Sequence, residues 1–223
     1  MPTIPISANT KGQMKNDIAA ELGGRSDLLP VIDAAIITAI DHFQSERFWF
    51  SESRDAFLFN TSVGQEFYGE STTPVAVVGI SQLLAFDYVI LYIGSIPWPI
   101  ARRTDVEIEV LNQNGLMRGQ PWNWTYFNEQ IRLGPVPDTS YQLRIVGQVN
   151  VGAPATDSTL GNPWMTNAER LIRSRAKYEI FLHNFRNLEQ AQAMSAYIED
   201  VYGQLKGRGN RLLGRGYMAP MEF

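Results

Sequence analysis

The sequence predicts an α+β protein: an antiparallel helical layer built from both ends of the chain, with an antiparallel β-sheet or sandwich inserted between them. Three observations lead there. Apolar residues recur at three- and four-residue spacing over residues 26–50 and again from Thr166 onward. Between those stretches the period drops to about two. The connectors are rich in Gly, Pro, Asn and Thr, as turns require. The implied division is a discontinuous helical domain (residues 1–50 and 164–205), an inserted β domain (51–163) and a flexible basic tail (206–223).

Residues 11–22 read as a short helix with Met14, Ile18 and Leu22 on one face, stopped by Gly23 and Gly24. The clearest helix follows. Ser26 is placed to cap it, Asp27 suits the positive end of its dipole, and Pro30 falls near the first turn. Leu29, Ile32, Ile36, Ile40 and Phe43 form a stripe that needs a covering partner. The cluster Phe48, Trp49, Phe50 reads as a joint where helix hands over to sheet, or as a subunit interface.

The β part opens with residues 56–59, expected to form a hairpin with residues 65–69. Residues 75–80 read as a strand and residues 82–92 as a central one. Pro97 and Pro99 lack N–H donors, so residues 96–100 read as loop or edge. Thr104 and Glu107 form a capping box for a short helix with an apolar face of Val106, Val110 and Leu111, though the β-branched residues here also allow a strand. A meander is expected next, with strands over 122–128, 130–133 and 141–149. Thr166 and Glu169 would cap a long helix running to about residue 205, weakest near His183–Asn187. That helix is the natural cover for the first stripe.

Composition narrows the chemistry. The chain has 223 residues, 44% hydrophobic and 19% charged, and its net charge is −4. Without cysteine there are no disulfides, thiolate metal sites or cysteine nucleophiles. His42 and His183 are the two histidines, and no third group accompanies them as a catalytic triad needs. Asp105, Glu107 and Glu109 read as a solvated helix face; the competing readings are a glycosidase pair or a divalent-cation site. Alternation puts Trp122, Trp124 and Tyr126 on one strand face, with Trp98 nearby in sequence. Such a face serves as core, as subunit interface, or as a sugar platform. The last reading keeps a carbohydrate-binding or cell-wall-glycan-hydrolysing β module as the alternative function. The tail carries Lys206, Arg208, Arg211 and Arg215 among glycines, with Leu212, Leu213, Tyr217 and Phe223 as apolar anchors. Nucleic acid or a membrane surface would suit its charge; the apolar anchors suit a protein partner better.

An ordered series of short motifs resembles the head-to-tail adaptor (connector) proteins of tailed bacteriophages, including the tail-tubular ring proteins of short-tailed phages. The series begins with Gln44-Ser45-Glu46-Arg47-Phe48-Trp49-Phe50 and Thr61-x-x-Gly64-Gln65-x-x-Tyr68. It continues with Gly119-x-Pro121, Ile131-x-Leu133-x-Pro135-Val136-Pro137-Asp138, Tyr141-x-Leu143-x-Ile145 and Trp164. The resemblance implies a non-enzymatic virion protein without cofactor or metal. It implies a homo-oligomeric ring of about twelve copies beneath the portal protein. Its other implied partners are a tail or nozzle protein, with double-stranded DNA passing through on ejection without specific binding and no membrane. The place implied is the head–tail junction, after synthesis in the bacterial host cytoplasm. Such adaptors dock on the portal by a C-terminal segment, which here is the tail from Lys206 to Phe223.

Overall fold

Thr10 starts the first helix with a reciprocal cap: its hydroxyl accepts from the Gln13 N–H, and the Gln13 side chain accepts from the Thr10 N–H. The computed structural model describes residues 10–212, all but the side chain of Ala56. Helix α1 spans Lys11–Glu21 and α2 spans Leu29–Gln44. Strands β1 (Glu52–Asn60), β2 (Phe67–Tyr68), β3 (Leu83–Ile93) and β4 (Ile96–Arg102) follow. After α3 (Asp105–Asn112) come β5 (Arg118–Gly119), β6 (Asn123–Phe127), β7 (Gln130–Gly134), β8 (Val136–Pro137) and β9 (Gln142–Val149). Last are α4 (Pro163–Asn167), α5 (Glu169–Glu179), a π-helical turn (Ile180–Asn184) and α6 (Leu188–Leu212). The protein is α+β, and its described residues form two compact units. One takes in the residues up to Phe50 and those from Val151 on; the other is Ser51–Asn150.

In the helical unit, α5 covers the α2 stripe and is itself flanked by α1 and α6. Ile32, Ile36, Ala39 and Ile40 are buried against Leu171, Ile172, Ala176 and Ile180. The chain leaves this unit at Phe50 and returns at Val151, and Trp164 closes the gap. Its ring meets Phe48 and Phe50 edge-on at 5.6 and 5.1 Å, and its Nε1 donates to the Val151 carbonyl at 2.5 Å. The returning segment is also pinned to α1. Gly12 N–H donates to the Asp157 carbonyl at 2.9 Å, and Lys11 and Lys15 bridge Asp33 and Asp157.

Several local expectations change here. Ser26 does not cap α2; residues Ser26–Leu28 form a 3-10 turn, and Asp27 pairs with Arg25 instead. Thr166 does not cap the C-terminal helix either. It lies inside the short α4, which Asn162 caps by accepting from the Trp164 N–H while the Thr166 hydroxyl donates to the Asn162 carbonyl; α5 then starts after Ala168 with no side-chain cap. The expected single helix is broken where the sequence is weakest: the π turn ends at Asn184, and Arg186 takes a left-handed φ of 53°. Asn187 then caps α6 by accepting from Gln190 N–H. Finally, α6 runs to Leu212, so residues 206–212 are helix and not flexible tail.

The β unit is a seven-stranded sheet in the order β1-β9-β3-β4-β6-β7-β2, antiparallel except for β4 beside β6. A parallel pair, β5 and β8, stands apart. The expected hairpin is replaced, and of the expected meander β6 and β7 do pair antiparallel while its third strand, β9, leaves them. Strand β1 pairs with β9, β2 pairs with β7, and β9 fills the place between β1 and β3. Residues 75–80 are not a strand, because the buried Gln65 amide takes their pairing: it accepts from Val75 N–H at 2.9 Å and donates to the Val75 carbonyl at 2.6 Å. Residues 96–100 do form a strand. Ala101 and Arg103 aim their N–H groups at Trp122 and Trp124, away from β3. By alternation the nitrogens of Pro97 and Pro99 face that same way, so no bond to β3 is lost. Gly147 is required by close approach: a Cβ there would lie 2.1 Å from the Ala85 carbonyl oxygen.

Helix α3 is capped by Thr104 and Glu107 as expected, but the opposite face is buried. Val106 and Val110 are each 71% exposed, whereas Ile108 and Asn112 are buried. The reason is a charge. Arg132, 5% exposed, reaches Glu66 at 2.6 Å, Asp105 at 2.9 Å, and Glu109. Asn112 adds bonds to Glu66 and to the Leu133 carbonyl, each 2.8 Å. Burial opposes the Arg132 charge, but its bonds to Glu109, Asp105 and Glu66 outweigh that and raise its pKa.

Two stability outcomes are expected. Trp164→Ala should cost about 3–5 kcal/mol in denaturant unfolding, the usual loss for emptying a buried aromatic site. Arg132→Met should cost about 2–4 kcal/mol, because it leaves three facing carboxylates without their cation; an unchanged midpoint would show that solvent already neutralises them.

Candidate interaction surfaces

The segment after α2 and the end of α6 form one interlocked surface of the helical unit. Glu46 Oε2 accepts from the Tyr202 hydroxyl at 2.6 Å and from Lys206 Nζ at 2.9 Å. Lys206 also donates to the Arg47 carbonyl at 3.0 Å and lies over the rings of Phe48 and Tyr202. Two residues on, the Arg208 guanidinium sits 5.1 Å above the Trp49 ring. Gly209 lets α6 close down on that ring: a Cβ there would come within 3.2 Å of Trp49 Cε3. Phe48 is 2% exposed and stacks on Phe50 at 5.1 Å. The hydrogen bonds from Tyr202 and Lys206 hold the Glu46 carboxyl below its ordinary range. Burial and that same carboxylate push Tyr202 up.

Of the tail residues expected to act together, Lys206 and Arg208 are thus held on aromatic rings of the helical unit. Arg211 and Leu212 are exposed on the last turn. Leu213, Arg215, Tyr217 and Phe223 lie outside the described residues. Glu46 and Tyr202 were not singled out from sequence. The signal for them was faint: a carboxylate two residues before an aromatic triplet, and a tyrosine four residues before a lysine.

The expected aromatic face on β6 is not assembled. Trp124 is 2% exposed, donates from Nε1 to the Ile100 carbonyl and packs on Phe86, as does Tyr126. Trp122 precedes the strand and is 53% exposed. A flat three-ring sugar platform therefore does not exist, and the glycan-module alternative loses its motivation. Exposed apolar side chains lie elsewhere in this unit: Ile96 and Trp98 on β4, and Val106 and Val110 on α3.

The acidic cluster also differs from expectation. Asp105 and Glu109 clasp Arg132 with Glu66, which the sequence reading had not included, while Glu107 serves the cap. Among the described residues no group of three or more His, Asp or Glu is arranged for a metal. His42 and His183 are exposed, and His183 lies 3.3 Å from Glu179. No helix among the described residues is long and apolar enough to cross a membrane.

An interlocked cationic and aromatic surface, on a helical unit that an inserted sheet interrupts, suits contact with another protein. The chain belongs to the SU10 adaptor protein family, which it matches over residues 9–221. It is a structural phage protein of the head–tail adaptor class. None of the curated proteins matches it.

The Glu46 contacts carry a pH signature. A carboxyl that titrates lower when folded contributes stability above about pH 4, and loses it as pH falls through the folded value. Acid titration of Trp fluorescence should show the α6 end loosening from Trp49 in that range. Glu46→Gln should abolish this step; superimposable titrations of the two proteins would remove Glu46 from the role.

Proposed function

We propose that this adaptor forms a homo-oligomeric ring beneath the portal protein, joins head to tail and extends the channel through which DNA is ejected. The observation that carries the reading is the family match across nearly the whole chain. About twelve copies are expected, by resemblance to other head-to-tail adaptors. Exposed Ile96, Trp98, Trp122, Val106 and Val110 supply apolar surface of the kind a closing heterologous interface buries. A mildly acidic chain, net −4, suits a channel that double-stranded DNA must leave rapidly, since each phosphate contact would add affinity. The end facing the portal is the stretch from residue 203 to Phe223, including Leu213, Arg215, Tyr217 and the described Lys206, Arg208, Arg211 and Leu212. Phe48, Trp49 and Phe50 serve as the joint through which the helical ring body carries its β insertion. That insertion meets the tail or nozzle protein. Synthesis takes place in the bacterial host cytoplasm before assembly.

Particle images and native mass of the chain mixed with its portal protein test this directly. A stoichiometric ring on the portal is expected, and truncation after Leu212 should weaken it. A chain that stays monomeric and unbound with its own portal would reject the reading.

A further inference from the structure

We propose that the end of α6, from Gly203 to Leu212, is a strap that unwinds and leaves Phe48 and Trp49 as one piece, hinged behind Tyr202, while the rest of the helix stays docked. This stretch is poorly suited to a helix. Gly203, Gly207 and Gly209 all lie inside α6. Each glycine makes a helical position about fourfold to fivefold less favourable than alanine would. Gly209 has a packing reason, since a Cβ there would press on Trp49 Cε3 at 3.2 Å. Gly203 and Gly207 have none among the described residues: a Cβ at either would meet no atom within 4 Å. Within the chain, those two positions lower the helix's own stability.

Packing does little to compensate. Of residues 203–212 only Leu205 and Gly209 are buried. An open hollow of about 180 Å³ lies between this stretch and the segment from Arg47 to Trp49, so the two surfaces do not interdigitate. The hold is a latch of polar and cation–ring contacts. Lys206 Nζ reaches Glu46 Oε2 at 2.9 Å and the Arg47 carbonyl at 3.0 Å, and Arg208 lies over Trp49. The Lys206 and Glu46 side chains keep 29% and 43% exposure, so water competes for their bond. Just upstream the hold is firmer. Tyr202 stacks on Phe43 at 5.9 Å and meets Phe48 edge-on at 6.3 Å, and Ile198 is buried in the helical core. Stability therefore drops at Gly203, which sets the hinge. Release bares Trp49 and the Phe48 ring and frees the heads of Lys206 and Arg208. A partner that binds this open form draws on a population the single chain already holds.

Hydrogen exchange of the full-length protein, read by mass spectrometry as protection relative to the unfolded chain, tests the strap without any portal or ring. Residues 203–212 are expected to be at least about tenfold less protected than residues 191–202. The double variant G203A/G207A fills open space and should keep the fold by circular dichroism. It should slow exchange of the strap about twentyfold, because the two glycine effects multiply when the stretch opens as one piece. Lys206→Met keeps helix propensity but removes the latch bonds, and should speed strap exchange about threefold to tenfold. Neither change should alter residues 191–198. Strap protection equal to that of residues 191–198 overturns the proposal. So does a double variant that exchanges like the parent, which gives the glycines another role. Exchange that rises residue by residue toward Leu212, as an ordinary frayed end gives, overturns it too. Slowing spread evenly over all of α6 does the same, because the whole helix is then the opening unit.

Discussion

The helical unit is made from two passes of the chain, and it exists only because something holds the exit and the return together. Trp164 does this. It packs edge-on against Phe48 and Phe50 at the exit and donates to the Val151 carbonyl at the return. Loop-closure entropy grows slowly with length, so a hundred-residue insertion is tolerable if its ends are well fixed. The Lys11, Lys15, Asp33 and Asp157 network and the Gly12 hydrogen bond fix the returning strand a second time. With that closure in place, α5 can lie across the α2 stripe, and α6 can reach the aromatic triplet.

The inserted unit depends on a different device. Its sheet is curled and mixed, and a short helix must be held to it without a large apolar contact. Arg132 provides the hold, drawing Asp105 and Glu109 from α3 and Glu66 from the loop before β2 onto one strand. Three carboxylates compete for one guanidinium, which keeps the cation charged despite its burial. The same demand turns α3 so that Val106 and Val110 face outward. Apolar surface that looked like core in the sequence is therefore free for contact with another molecule.

How far the sequence could be read follows from the range of the interactions concerned. The α2 stripe, the Thr104–Glu107 cap, the Asn128–Glu129 turn and the weak point at His183–Asn187 are all local, and each is where periodicity or turn chemistry put it. Strand pairing was not legible, because β1 with β9 and β2 with β7 join residues far apart in sequence. The two missed caps show the same limit at short range. Ser26 and Thr166 are good capping types, but Ser26 falls in a 3-10 turn ahead of α2, whose N-cap Leu28 makes no side-chain bond, and Thr166 falls inside α4, which Asn162 caps. At the candidate surface Lys206, Arg208, Phe48 and Trp49 were all recognised, yet as two separate features, a tail and a joint.

By itself, then, the sequence determined the α+β class, the coarse succession of helices, then strands, then helices, the absence of thiol chemistry and the resemblance to phage adaptors. These rest on composition, periodicity and motif order, which need no partner to be read. Tertiary structure alone decided that α3 presents its valines to solvent, that Trp124 is core while Trp122 is surface, and that the basic residues from Lys206 lie on a helix clamped to Phe48 and Trp49. Each of those outcomes turns on which distant group satisfies a buried charge, an indole N–H or a carboxylate, and such pairings are settled only when the chain has folded.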